Sequence, residues 1–223
     1  MDASSFIAYA LSQTAIEFPR GGRRLRSGRV SPYFFNVGRF DTAYALGKLA
    51  EAYASAILTA VTVETSTHPE VIFGPAYKGI VLAAQTAIQL ARIYYPFRER
   101  LGYAYNRKER KNHGEGGVMV GMSLRGKRVV IVDDVISSGG SGDEAVALVR
   151  REGGVPIGYV IGLDRLESDP ESGTSVSETF TARHGIPVRA VSTVRDLTSF
   201  LERNPEYPNA ADVRRRIEEY LGL

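Results

Sequence analysis

Apolar positions along the chain follow two rhythms. Phe6, Ile7, Ala10 and Leu11 recur at helical spacing within residues 4–16, and a second helical stretch covers 42–60, with Asp41 placed to cap it. Between them Ser31-Pro32-Tyr33-Phe34-Phe35 reads as extended, with glycine on either side. From residue 71 onward, short continuous apolar runs alternate with helices. Val71-Ile72-Phe73 precedes a helix over about 79–93, and Tyr103-Ala104-Tyr105 forms a short strand. Val129-Val130-Ile131-Val132 precedes a helix over about 142–152, and the run from Val155 to Leu163 precedes one near 175–184. Pro187 to Ser192 is a last strand before C-terminal helices. Uninterrupted apolar strands separated by helices specify an α/β fold whose central parallel sheet is covered on both faces.

Ligands bind such sheets outside the carboxyl ends of the strands. The segments just after each strand are polar and rich in glycine: Gly74 to Gly79, Asn106 to Gly117, Asp133 to Gly142, then Asp164 and Arg165. The chemistry therefore collects at one edge of the sheet.

The 223 residues suit one domain, and the absence of cysteine excludes disulfides, a thiol nucleophile and cysteine-based metal sites. No apolar run approaches 18 residues and no signal-peptide core opens the chain, so the expectation is a soluble, cytoplasmic protein without a membrane partner. The net charge of +3 is unevenly spread. Residues 20–29 carry +5 and residues 98–111 carry +4, which leaves −6 for the other 199. Two compact basic clusters on an acidic body suit a small anionic ligand better than nucleic acid, which calls for a broad basic face.

The sharpest motif is Val129 to Ser141, VVIVDDVISSGGS. Asp133 and Asp134 end a buried strand, where neighbouring side chains diverge. They suit two adjacent hydroxyls, such as those of a ribose, or one hydroxyl and the water shell of a cation. Val135 and Ile136 lead into Ser137, Ser138, Gly139, Gly140 and Ser141, small residues that open a helix and offer backbone N–H groups to a phosphate. An acid pair beside a phosphate cradle describes a grip on ribose 5-phosphate.

This run resembles the phosphoribosyl-pyrophosphate motif of the type I phosphoribosyltransferases. RSGR at 26–29 with SPYFFN at 31–36, GPAYKGI at 74–80, YNRKERKNHGEGG at 105–117 and Leu163-Asp164-Arg165 are similar in order and spacing to the orotate phosphoribosyltransferases. The resemblance spans roughly 4–200. It implies a Rossmann-like sheet with a small N-terminal hood formed mainly by residues 1–40, and a mobile lid loop at about 106–117. It also implies transfer of ribose 5-phosphate from phosphoribosyl pyrophosphate to orotate with Mg²⁺, in a homodimer whose lid reaches the neighbouring site. The metal would be held mainly by substrate, with Asp133 or Asp134 acting through water. Lys78 and Tyr77 would line the pyrophosphate turn. Arg107, Lys108, Lys111 and His113 would close over the leaving group, with Glu115 orienting these bases. Arg165 would hold the orotate carboxylate. Phe34 and Phe35 would belong to the hood; they alternate faces if extended, so only one would touch ligand.

Several positions depart from the family pattern. Arg26 stands where lysine is usual, keeping the charge but poorly suited to proton transfer. The phosphate loop carries serine where threonine is common. The stretches 61–70 and 94–100, the latter with Arg98 and Arg100, look longer than the family core needs. Gly121 to Lys127 matches most of a P-loop but continues into Arg128 and a strand, so it reads as a polar turn. His68 and His184 read as surface residues. Two alternatives compete with the family reading: a phosphoribosyltransferase for a neutral base, and a nucleotide-sensing regulator on the same fold. Arg165 and the aromatic hood argue against the first, and the lack of room for a DNA-binding module within residues 1–20 argues against the second.

Overall fold

The computed structural model describes residues 1–25, 28–94, 99–111, 117–136, 140–169 and 172–222, with the backbone alone at 110, 111 and 117. In chain order the elements are α1 (Ala3–Ser12), β1 (Ile16–Glu17), β2 (Arg23–Arg24), β3 (Val30–Ser31), β4 (Phe34–Phe35), α2 (Ala43–Ala56) and α3 (Thr62–Thr65). Then come β5 (Val71–Gly74), α4 (Lys78–Ile93), β6 (Gly102–Lys111), β7 (Gly117–Gly121), β8 (Arg128–Asp133) and α5 (Ser141–Arg151). The chain ends with β9 (Val155–Asp164), α6 (Val176–His184), β10 (Val188–Thr193), α7 (Val194–Arg203) and α8 (Ala210–Leu221).

Six strands form the main sheet in the order β10-β9-β8-β5-β6-β7. All neighbouring pairs are parallel except β6–β7. Period-two alternation divides the core. Ile72, Val130, Val132 and Val160 face α1, α2, α4 and α7, whereas Val71, Phe73, Val129, Ile131, Tyr159 and Ile161 face α5 and α6. After β6 the chain turns back through β7, and β8 then joins the other side of β5. The strand order thus reverses between β5 and β8, and the carboxyl ends of these two strands are where a crevice must open.

Local chemistry moves several expected boundaries. α1 stops at Ser12, short of residue 16, because Thr14 takes a left-handed φ of 52° and the Ala15 N–H closes back on the Ala10 carbonyl at 2.8 Å. Thr42, and not Asp41, caps α2, its side chain accepting from the Ala45 N–H at 3.1 Å. That helix runs past residue 60 through a π turn at Ile57–Val61 into α3. Ala43–Thr65 is therefore one helical run long and apolar enough, by length and composition, to cross a membrane, which the sequence reading did not anticipate. Leu49, Tyr53, Ile57 and Val61 on that run are buried in the core. The 61–70 stretch is tied down: Glu64 pairs with Arg189, and Glu70 takes Lys127 at 3.0 Å and Arg128 at 3.3 Å.

The hood expected from residues 1–40 is built against the main body of the domain. α1 packs into the main core beside α7 and β10. The β1–β4 and β2–β3 pairs lie against the C-terminal region, where the Arg216 guanidinium donates to the Pro19 carbonyl at 2.8 Å and Phe18 meets Tyr207 edge-on.

Candidate active site

The loop after β5 is built by close backbone approach. A Cβ on Gly74 would lie 1.7 Å from the Gly79 carbonyl oxygen, so the strand end and the start of α4 meet without room for a side chain. The Gly79 N–H donates to Pro75, and Asn106 on β6 accepts from the Ala76 N–H at 2.9 Å. This geometry presents Tyr77, 68% exposed, and Lys78 at the crevice.

Lys78 Nζ lies 2.6 Å from Asp134 Oδ2. The two residues belong to different motifs and come together because β5 and β8 are neighbours in the sheet. Asp134 Oδ1 accepts from the Val135 N–H, so its carboxylate is oriented toward the β5 loop. Asp133 points elsewhere. Its Oδ1 accepts from the Asp134 N–H at 2.9 Å and its Oδ2 from the Tyr159 phenol at 3.1 Å, while its carbonyl accepts from the Tyr53 phenol at 2.7 Å. The two carboxylates diverge as a strand end requires. Burial, and then the neighbouring Asp134 charge, push the Asp133 carboxyl up to about 7, against the opposing pull of the Asp134 N–H and Tyr159 hydrogen bonds.

Val135 is half-buried, and the Ile136 side chain is buried in the core beneath α5. Any contact Ile136 makes with substrate is through its backbone. Ser137, Ser138 and Gly139 lie outside the described residues. Gly140 caps α5 with no side-chain hydrogen bond, and Ser141 opens the helix exposed. Among the described residues the first-turn N–H groups thus have no side-chain cap, as a phosphate cradle needs.

The lid differs from the expected loop. Residues 106–111 continue β6, and β7 pairs with them antiparallel, Lys111 opposite Gly117. Residues 106–111 with 117–121 are a β-ribbon extending from the sheet edge, 112–116 lying outside the described residues: on an edge strand, polar side chains stay in solvent while the backbone remains paired. The Lys108 ammonium lies 4.9 Å from the centre of the Tyr77 ring, over the pyrophosphate turn. Arg107 is half-buried in the same strand. The side chain of Lys111, and His113 and Glu115 entirely, lie outside the described residues, as do Arg26 and Arg98.

The two phenylalanines separate. Phe35 is 5% exposed and packs on Phe6 and Phe40 in the core, so it is not a surface for ligand. Phe34 is half-buried with the Arg23 guanidinium 4.1 Å from its ring centre. Arg165 already meets a carboxylate, that of Glu167, at 2.8 Å. His184 is not a surface residue: its side chain is 11% exposed, bonded to Asp143 at 2.5 Å and packed on Phe180. Sequence reasoning gave no role to Asn106, Tyr53, Tyr159 or Glu167. The available signals were a phenol inside an otherwise apolar strand at 159 and an amide within the 105–117 motif.

Three comparisons place this geometry among known proteins. Residues 44–194 match the family model described as the phosphoribosyl transferase domain. The chain is 45% identical over 203 residues to an orotate phosphoribosyltransferase of Stenotrophomonas maltophilia, covering 90% of this chain and 87% of that protein. A crystal structure of the Francisella tularensis orotate phosphoribosyltransferase superposes with a TM-score of 0.76 at 32% identity, covering 96% of this chain and 98% of the other. The Mycobacterium tuberculosis enzyme in complex with 5-phospho-α-D-ribosyl 1-diphosphate shares the fold, with a TM-score of 0.60 at 20% identity, covering 88% of this chain and 99% of that one.

Proposed function

Because the chain belongs to the orotate phosphoribosyltransferase family, we propose a division of labour among its residues for the family reaction, which joins the ribose 5-phosphate of phosphoribosyl pyrophosphate to orotate in pyrimidine biosynthesis. In that reaction the bond between the ribose C1 and a pyrophosphate oxygen breaks, and a bond to a ring nitrogen of orotate forms as that nitrogen gives up its proton to solvent or to the departing pyrophosphate. Negative charge grows on the leaving group and positive charge on the sugar, so catalysis asks for cations at the pyrophosphate and carboxylates at the ribose.

The observation that carries the assignment is the 2.6 Å contact between Lys78 and Asp134 at the strand reversal. It sets a cation and a carboxylate side by side, as the two halves of phosphoribosyl pyrophosphate require. Bound substrate would part them, Asp134 turning to a ribose hydroxyl and Lys78 to the pyrophosphate. Asp133 acts on the same sugar indirectly, holding the Asp134 backbone N–H. Gly140, Ser141 and the first turn of α5, with Ser137, Ser138 and Gly139 before them, take the 5-phosphate. Lys108, Arg107 and Lys111 of β6, with His113 of the same motif, cover the pyrophosphate and exclude water. Tyr77 lies beneath Lys108. Arg165 takes the orotate carboxylate, Phe34 lies on the flat ring, and Arg26 supplies charge beside it.

Magnesium fits this donor set. The hard carboxylate oxygens of Asp134, at the crevice, suit Mg²⁺ through water, whereas both Asp133 oxygens accept from protein donors, and the ion's other ligands would come from phosphates and water. When bound, it supplies charge neutralisation at the leaving pyrophosphate. A homodimer is supported by apolar surface on adjoining elements: Val81 and Ile88 on α4, and Tyr103 and Met122 on and beside the β6–β7 ribbon, are exposed.

The test is pyrophosphate release with orotate, uracil, hypoxanthine and adenine offered separately, with Mg²⁺ and with a chelator. Release with orotate alone, abolished by the chelator, is expected. Release with no base would return the chain to the regulatory alternative, and equal release with uracil would remove the carboxylate clamp.

A further inference from the structure

Beyond β9, Arg165 belongs to a charge cluster that the reaction does not by itself require. The Arg165 and Glu167 side chains, 2.8 Å apart, are 11% and 12% exposed. Among the described residues the Arg165 Nη2 makes no well-aligned hydrogen bond despite its burial, and the Tyr33 ring centre lies 5.4 Å from the guanidinium carbon. Glu167 Oε1 accepts the Tyr220 phenol at 2.8 Å, and its Oε2 faces the Arg29 guanidinium at 4.0 Å. Arg29 in turn lies 4.5 Å from the centre of the Tyr220 ring and donates to the Tyr220 carbonyl at 3.4 Å. Tyr220 sits on α8, beyond every motif that marks the family in this sequence.

A nearly buried arginine needs a counter-ion, and Glu167 supplies one. A single carboxylate would also neutralise Arg165 and repel a second carboxylate arriving as substrate. Arg29 changes that balance. Two guanidinium groups around one carboxylate leave a net charge of +1, the complement of one more carboxylate. The Tyr220 phenol and the Arg165 Nη2 share Glu167 Oε1, so the phenol takes up part of that carboxylate's capacity to accept and Glu167 does not satisfy Arg165 alone.

We propose that Glu167, Arg29 and Tyr220 are positioning residues that aim Arg165 at the substrate carboxylate and keep the pocket one positive charge in excess. This rests on the reading of Arg165 as the orotate clamp. It gives the C-terminal helix a part in choosing an acidic pyrimidine over a neutral one, and gives one arginine of the 20–29 cluster an inward task.

The experiment measures kcat and the KM of each substrate for Tyr220→Phe, Arg29→Met and Arg165→Gln, and for Tyr220→Phe combined with Arg165→Gln. Tyr220→Phe removes one hydroxyl and keeps the ring, so folding is preserved. The expected result is an orotate KM raised roughly fivefold to tenfold in each of the first two variants, with the phosphoribosyl pyrophosphate KM unchanged. In the Arg165→Gln background, Tyr220→Phe should add nothing, since it acts through Arg165. Unchanged orotate KM in Tyr220→Phe and Arg29→Met, with Arg165→Gln impaired, overturns the positioning cluster and leaves the clamp standing. Unchanged orotate KM in Arg165→Gln overturns the clamp itself. Equal losses for both substrates, or additive losses in the double variant, mark a merely structural role and overturn the proposal.

Discussion

The Tyr159 phenol donates to Asp133 Oδ2 at 3.1 Å from a fully buried position on the neighbouring strand. Asp133 is thereby held on both oxygens by the fold, Oδ1 by the Asp134 N–H, while Asp134 accepts the Val135 N–H on Oδ1 and meets only the solvent-exposed Lys78 side chain on Oδ2. Two adjacent aspartates thus have different tasks, set by which way each side chain leaves the strand end. Asp133 is fixed and desolvated; Asp134 faces the crevice.

The raised Asp133 carboxyl makes stability depend on pH in the direction opposite to an ordinary ion-paired aspartate. From about pH 4 the unfolded chain releases the proton, whereas the folded chain keeps it up to about 7. The folded state binds more protons in that window, so stability falls as pH rises through it and levels off above. Asp133→Asn removes the titration. Urea unfolding at pH 5 and pH 8 should show a smaller loss between the two for the variant than for the wild type. An unchanged difference would show that Asp133 ionises normally in the fold.

Asp134→Asn should leave the fold intact and lower kcat by on the order of a hundredfold or more, the scale of losing a charged transition-state contact. Its ion pair with Lys78, whose side chain is 52% exposed, adds little stability, so the melting temperature should move by no more than a few degrees. Lys78→Gln should reduce kcat and raise the KM for phosphoribosyl pyrophosphate while sparing that for orotate. Steady-state kinetics and thermal melts of the two variants test both statements, and wild-type turnover in Asp134→Asn would remove its assigned role.

Arg165→Ala should raise the orotate KM on the order of tenfold to a hundredfold, the cost of a lost hydrogen bond to a charged group. It should also lower stability, because Glu167, 12% exposed, loses its nearest cation. The paired readout is orotate KM with the midpoint of urea denaturation; a destabilised protein with normal orotate KM would limit Arg165 to a structural ion pair.

Gly74→Ala should be among the most damaging small substitutions in the chain. Its Cβ would lie 1.7 Å from the Gly79 carbonyl oxygen, backbone that cannot yield without moving the start of α4 and Lys78 with it. A loss of more than about 2 kcal/mol in unfolding free energy is expected, the scale of a forced overpacking. Gly173→Ala, whose Cβ meets no described residue within 4 Å, serves as a comparison at an exposed turn with a positive φ of 70°.

Strand and helix order from β5 onward was legible because continuous apolar runs and helical spacing leave few alternatives once both faces of a sheet must be covered. The motifs after β5, β8 and β9 were legible too, since each follows an apolar run that ends abruptly in polar residues. The 106–111 segment was not. Its charge suggested a loop, but backbone pairing with β7 is indifferent to side-chain polarity at a sheet edge. Phe34 and Phe35 show the same limit on a smaller scale: alternation said one would face inward, and only packing against Phe6 and Phe40 settled which.

By itself, the sequence determined an α/β sheet, the segments at its carboxyl edge and the kind of ligand those segments suit, because each of these follows from local periodicity and residue chemistry. Only the tertiary structure decided the partnerships. Lys78 meets Asp134 across 56 positions, Tyr159 fixes Asp133 from another strand, and Tyr220 reaches Glu167 from the last helix. Such contacts depend on strand order and on which helix covers which edge. Many distant segments must come together before any of these charges acquires a neighbour, so no local pattern in the chain records them.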